Sequence, residues 1–344
     1  MKNNSHGRIR ISRDRVKQGR ASAIRMQKIV CLGGGNAMPK AVLLGLKKYP
    51  VKLSVICAML DSGGSAGRLR KDYKIVSPGD IRRAFIALAN TSPAIKDLFN
   101  YRFQTGELKG HNLANLFITA LELATNDYEK TIKEVSKILN VSHQVLPVTL
   151  DKSNLYAILE NGKIISGEIN IDIPKHNGNL KIKRVFLKPK AGAYPKALEA
   201  INRADLIIIG PGDLYSSLAQ ILLTNGITAA IRKSKAKKVY ICNLMTKYGE
   251  TNNFSVLDFV KEIEKYLGGK VDYIIYNTKK PSAKRLSAHK KEHPELIDLV
   301  KFDKSLDYNP TTTQRKFIGV NLLINRGPII HDPNKLAKII LELH

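Results

Sequence analysis

The sequence predicts an α/β fold, a Rossmann-like αβα sandwich with a mainly parallel sheet and an antiparallel β insertion. Three observations carry this prediction. Short apolar runs alternate with helical spacings, the pattern of βαβ units. Three of those runs end in glycine turns with a helical spacing behind them. Residues 145–187 break the alternation with short apolar runs and frequent turns.

The first unit spans Lys28 to Arg70. Ile29-Val30-Cys31-Leu32 is an apolar strand that runs into Gly33-Gly34-Gly35-Asn36. A helical spacing follows over 37–48, and a second strand, 53–60, ends in Asp61-Ser62-Gly63-Gly64-Ser65-Ala66-Gly67-Arg68, read as a second glycine loop. Pro78-Gly79 then forms a turn, with Asp80 as the N-cap of a helix running to about Leu88. Helical periods recur at 93–100, 112–124 and 128–139. Asn161-Gly162 between two apolar runs signals a hairpin, so 145–187 reads as the insertion. The αβ pattern returns with a helix at 195–203 and a buried strand, 205–209, that ends in Gly210-Pro211-Gly212-Asp213. Helices at 226–233 and 255–267 separate strands at 237–242 and 271–276, and a strand at 317–324 precedes a helix from Pro333.

The chain has 344 residues, 43% of them hydrophobic, enough for a substantial core. No apolar run approaches the ~18 residues of a membrane span, and the N-terminus lacks a secretory h-region. The protein therefore reads as soluble and cytoplasmic. Cys31, Cys57 and Cys242 each sit in an apolar run and read as small buried hydrophobes, without metal-ligand spacing. The net charge is +28. Residues 1–27 form a basic arm, expected to be disordered and dispensable for folding, ahead of one nucleotide-binding domain at 28–344. The arm has no aromatic residue and is read as a solvated tail before a nucleic-acid contact.

Polar residues cluster at the strand tips, where an open parallel sheet binds its ligands. Gly33, Gly34, Gly35 and Asn36 mark the first tip, and Asp61, Gly63, Gly64, Ser65 and Arg68 the second. Gly210, Pro211, Gly212, Asp213, Tyr215 and Ser216 mark the third, and Asn243, Thr246 and Asn277 the later ones. His111, Asn112 and Asn115 gather at a helix start beside Gly110. Glycine turns bring backbone N–H groups close to a phosphate. Arg68 and Arg82 are the candidate phosphate partners, since guanidinium forks match phosphate oxygens. Asp61 and Asp80 are the acids expected nearest the ligand. His289 and His293 stand at i, i+4, but Lys290 and Lys291 beside them point to a solvated surface.

These segments together resemble the YvcK/CofD family. The resemblance rests on Cys31-Leu32-Gly33-Gly34-Gly35, Asp61–Arg70, Pro78–Arg82, Gly110–Leu116, Val145–Leu150, Gly210–Ser217 and Cys242–Thr246 with Gly249-Glu250-Thr251. The second of these lies closer to the YvcK branch, called gluconeogenesis factor. That branch implies a regulatory protein that binds UDP-sugars and is linked to gluconeogenic carbon use, cell shape and peptidoglycan synthesis. The CofD branch implies a 2-phospho-L-lactate transferase that uses a guanosine diphosphate ester and Mg²⁺. There Asp61 would be the metal-holding and catalytic residue. The chain departs from the family at Asp61-Ser62, where two adjacent acids are usual, at Asp213, where Ser is usual, and at Ile330-His331-Asp332, where Arg-His-Asp is usual.

The preferred reading is a nucleotide-sugar-binding regulator. A phospholactate-type transferase is the alternative, and an adapter working through its basic arm is the third. The small-molecule partner is a UDP-sugar or other diphosphate nucleotide. Its base and sugar, and whether the chain forms a homo-oligomer, are left open by the sequence.

Overall fold

The structure, a computed structural model, describes residues 25–302 and 315–343. The basic arm up to residue 24 lies outside the described residues.

Seven strands form one sheet: β1 (Gln27–Gly33), β2 (Val51–Cys57), β3 (Gln144–Pro147), β7 (Leu206–Ile209), β8 (Lys237–Ile241), β10 (Tyr273–Asn277) and β12 (Lys316–Val320). Their order is β12-β10-β8-β7-β1-β2-β3, and every pairing is parallel. β1 pairs with both β2 and β7, Ile29 facing Leu53 on one side and Leu206 on the other. The chain fills the sheet outward from β1 to β3 first, then from β7 to β12. The switch point therefore lies between β1 and β7, and there the loops leaving neighbouring strands diverge and open a crevice. The all-apolar strand sequences follow from burial on both faces: Leu206 to Ile209 are each at most 1% exposed.

A second sheet is antiparallel and holds β4 (Asn154–Leu159), β5 (Ile164–Ser166) and β6 (Ile182–Lys188), β4 in the centre. The hairpin at Asn161-Gly162 joins β4 to β5, with Gly162 at φ 85°. The antiparallel segment begins later than the sequence suggests, because Gln144–Pro147 pairs with β2 as the edge of the main sheet. A short helix, Glu168–Asp172, follows β5. The third sheet pairs β9 (Met245–Lys247) with β11 (Leu296–Leu299); neither strand carries an apolar alternation long enough to announce itself.

Four local elements also differ from the sequence reading. Gly64–Tyr73 is a helix, not an extension of the glycine loop. The helical spacings behind the first and third glycine loops open as π-helical turns, Pro39–Leu43 and Leu214–Ala219. Ala283–Glu292 is a helix capped by Ser282, whose hydroxyl accepts from the Arg285 N–H.

Candidate functional site

The loops after β1, β2 and β7 line one crevice of about 550 Å³, a volume suited to a nucleotide-sized ligand. Gly34 in the first loop packs directly on Asp80: a Cβ there would overlap Asp80 Oδ2 and lie 2.8 Å from Ser217 Oγ. Gly35 takes the left-handed conformation, φ 60°, and its N–H donates to Asp80 Oδ1 at 2.9 Å. Asp80 also accepts from the Arg83 guanidinium. Asp80 lies in the second position of the helix Gly79–Leu88 and makes no side-chain cap there. Its role is to clamp the first glycine loop to that helix.

Ser65, near the start of the helix Gly64–Tyr73, gathers the polar junction that follows. Its hydroxyl oxygen accepts from the Asn112 N–H at 3.1 Å and from Asn115 Nδ2 at 3.3 Å, and it lies 3.2 Å from His111 Nδ1. Asn112 caps the helix Leu113–Thr125, accepting from the Asn115 N–H, while its Nδ2 donates to the Tyr101 carbonyl at 2.9 Å. Asn115 reaches the crevice with its Oδ1 buried and without a partner among the described residues.

Arg82 stands out electrostatically. It is 8% exposed and lines the crevice. Its Nε is buried without a hydrogen-bond acceptor among the described residues. Burial, then the neighbouring Arg83 and Arg102 cations, pull its pKa down to about 10. A buried guanidinium held beside two other cations costs free energy unless an anion joins it. Arg83, next to it, bonds an acid directly. Burial opposes its charge, but Asp80 and Asp61 more than offset that and raise its pKa.

Opposite these cations sit two acids. Asp61 Oδ1 accepts from the Gly63 N–H at 2.9 Å, and Glu168 Oε2 accepts from the Ser62 N–H at 3.1 Å. Burial, then the nearby Asp80, raises the Asp61 pKa. Burial, then Asp61 and Asp172, pushes Glu168 up to about 9. Two carboxylates that accept from the adjacent Ser62 and Gly63 N–H groups of one turn make a site that favours a proton or a divalent cation.

A separate charge network closes the far end. Lys247 Nζ lies 3.1 Å from Asp213 and 3.3 Å from Glu250, and also bonds Asp172. Glu250 in turn accepts from the Tyr215 N–H at 3.0 Å and the Ser216 hydroxyl at 2.9 Å. Burial disfavours the lysine charge, but Glu250, Asp213 and Asp172 raise its pKa well above the ordinary value. The extra acid in the third loop, Asp213, is thus an ion-pair partner.

Of the sequence candidates, the crevice brings together Gly34, Gly35, Asn36, Asp61, Gly63, Gly64, Ser65, Asp80, Arg82 and Asn115. It also takes Pro211, Gly212, Asp213, Ser216 and Asn243. Others lie outside it. Arg68 turns away, and its Nη2 donates to the Lys109 carbonyl at 2.9 Å. His111 and Asn112 serve the Ser65 junction. Gly33 packs against Met38, Gly210 closes against the Ile241 carbonyl, and Tyr215 is core. Thr246 Oγ1 bonds the backbone of Asp298, and Asn277 Oδ1 accepts from the Leu322 N–H. The sequence reading missed Arg83, Glu168, Asp172 and Lys247. Glu168 and Asp172 meet partners from distant segments, as does Lys247 at Asp172 and Asp213, and no local motif marks them; Arg83 pairs with Asp80 three residues away, a spacing the sequence did show.

The fold and crevice can now be set beside known proteins. A family model described as 2-phospho-L-lactate transferase CofD matches residues 29–316. The chain belongs to the CofD family. Within it, the gluconeogenesis factor of Halalkalibacterium halodurans is 41% identical over 325 residues, covering 93% of this chain and 97% of that protein. The gluconeogenesis factor of Bacillus subtilis is 37% identical, covering 92% and 98%. A crystal structure of a UPF0052 family member from Bacillus halodurans superposes with a TM-score of 0.84 at 36% identity, covering 93% of this chain and all of that one. At the second loop Glu168, from the insertion, accepts from the Ser62 N–H next to Asp61. No described helix is long and apolar enough to cross a membrane.

Proposed function

We propose that this chain binds a UDP-sugar or a similar nucleoside diphosphate ester in the crevice and acts as a regulator of the kind its gluconeogenesis-factor relatives are named for. The observation that carries the reading is Arg82, a buried guanidinium whose Nε has no acceptor among the described residues, beside glycine loops whose backbone can approach a diphosphate closely. The linkage to gluconeogenic carbon use and cell shape, and action in the cytoplasm, follow from the resemblance to the YvcK branch.

The Asp61–Glu168 pair fits Mg²⁺ in its donor set, since both offer hard carboxylate oxygens and Asp61 acts on Glu168 closely enough to help raise its pKa. Bound there, the ion would supply charge neutralisation toward the phosphates. This pair also favours a second reading, a transferase of the phospholactate type. The deciding test is a thermal-shift panel of UDP-sugars, NAD, GDP and GTP, each with and without Mg²⁺. A ligand at 100 times its dissociation constant stabilises by about 2.7 kcal/mol. Stabilisation by UDP-sugars with no turnover supports the regulator. Mg²⁺-dependent release of nucleoside monophosphate, abolished in Asp61→Asn, establishes the transferase instead. A panel without any shift removes the nucleotide reading.

A further inference from the structure

The sequence places His289 and His293 on a solvated lysine-rich surface; the structure leaves His293 exposed but buries His289. His289 is 4% exposed and faces the crevice, and both of its ring nitrogens are buried without a hydrogen-bond partner among the described residues. A buried imidazole with neither nitrogen satisfied is costly. Its nearest polar company is His293, ring centroids 4.8 Å away, and Glu292. One ligand atom from each of His289, Glu292 and His293 lies within 4.8 Å of the others. One ion with bonds of about 2.0–2.2 Å spans such a group after small side-chain rotations.

The spacing has a physical cause. His289 and His293 are four residues apart at the end of the helix Ala283–Glu292, and the His293 N–H still donates to the His289 carbonyl at 2.8 Å. Residues at i and i+4 share a helix face. His293 Nδ1 lies 3.2 Å from Glu295; a carboxylate there fixes the ring and leaves Nε2 as the ligand atom. The neighbouring cations are engaged elsewhere. Lys290 pairs with Asp298 at 3.3 Å, and Arg285 donates to the carbonyls of Gly327, Ile324 and Pro328.

We propose that His289, His293 and Glu292 form a binding site for a nitrogen-seeking divalent ion, zinc, at the rim of the crevice. Imidazole ligands select zinc over the Mg²⁺ suited to Asp61 and Glu168. Two imidazoles and one carboxylate fill three positions of a tetrahedral ion and leave the fourth for water or a ligand in the crevice. The site is independent of the nucleotide reading, so its test uses no nucleotide.

Tag-free full-length protein, stripped with chelator, is titrated with zinc by calorimetry and with Co²⁺ by visible absorption. One ion per chain and a tetrahedral Co²⁺ band are expected, together with a rise in melting temperature. Loss of an outer-shell partner alone weakens metal binding about 10–100-fold, so His289→Ala and His293→Ala, which remove ligands, should weaken it by at least about 100-fold. His293 is 47% exposed in its side chain, so its variant reports even where His289→Ala fails to fold. Asp61→Asn should leave zinc affinity unchanged. Zinc affinity preserved in His293→Ala, or lost in Asp61→Asn, places the ion elsewhere and overturns the proposal, as does a wild type that takes up no zinc.

Discussion

Lys247 and Arg82 are two cations buried to nearly the same depth in one crevice, 7% and 8% exposed, and their surroundings differ completely. Lys247 has three carboxylates within reach, from the insertion, the third glycine loop and its own turn. Arg82 is under stronger influence from Arg83 and Arg102 than from Asp80 and Asp61, and its Nε has no acceptor among the described residues. A cation whose charge is already met holds segments together; one whose charge is unmet waits for an anion. Burial alone therefore does not identify a binding residue. What identifies it is an electrostatic imbalance that the protein leaves uncorrected.

The sharpest way to break this comparison is Lys247→Met. It leaves Asp172, Asp213 and Glu250 without their shared cation, and losing one partner of a buried ionic group costs about 3–5 kcal/mol. Thermal unfolding should show a large drop in melting temperature. A variant as stable as the wild type would mean that the three acids are stably protonated and the network is not structural.

Arg82→Ala should behave in the opposite way. The chain should keep its stability while nucleotide affinity falls by about 1.5–3 kcal/mol, the range for a charged hydrogen bond. Calorimetry with the best nucleotide from the panel checks this. Unchanged affinity would remove Arg82 from the site. Between the two lies Gly34→Ala, which forces a methyl group against the Asp80 carboxylate. Overpacking of that kind costs about 1–3 kcal/mol, and both melting temperature and nucleotide affinity should fall together.

A smaller effect comes from pH. Glu168 is raised from 4.5 to about 9 in the folded chain. The folded state then holds a proton that the unfolded state releases, so stability from this group is lost as pH rises from about 4.5 through 9. Glu168→Gln should flatten this part of the stability profile and leave the variant more stable than the wild type at pH 8. An unchanged profile would show that Glu168 ionises without cost. The least effect is expected of Arg68→Ala, within about 0.5 kcal/mol for stability and none for nucleotide binding. Weakened binding there would restore Arg68 to the site.

The sequence by itself determined the sheet and the position of the crevice. Strands buried on both faces must be apolar along their length, so Ile29–Leu32 and Leu206–Ile209 are legible as parallel strands without any partner in view. Glycines at their tips are equally legible, because only glycine tolerates Gly35's conformation without strain and Gly34's contact with Asp80. Periodicity could not show which charges meet. Arg68 and Arg82 look alike as residues beside glycine turns, yet the helix Gly64–Tyr73 carries one outward to the Lys109 carbonyl, and the helix Gly79–Leu88 carries the other into the crevice. Glu168 reaches Ser62 across 106 positions of chain, and Lys247 reaches Asp172 across 75. His289 looks solvated beside two lysines and is buried, facing the crevice. Local spacing sets an element's type and its buried face. Electrostatic partnership depends on distances through space, and only the packing of distant segments fixes those.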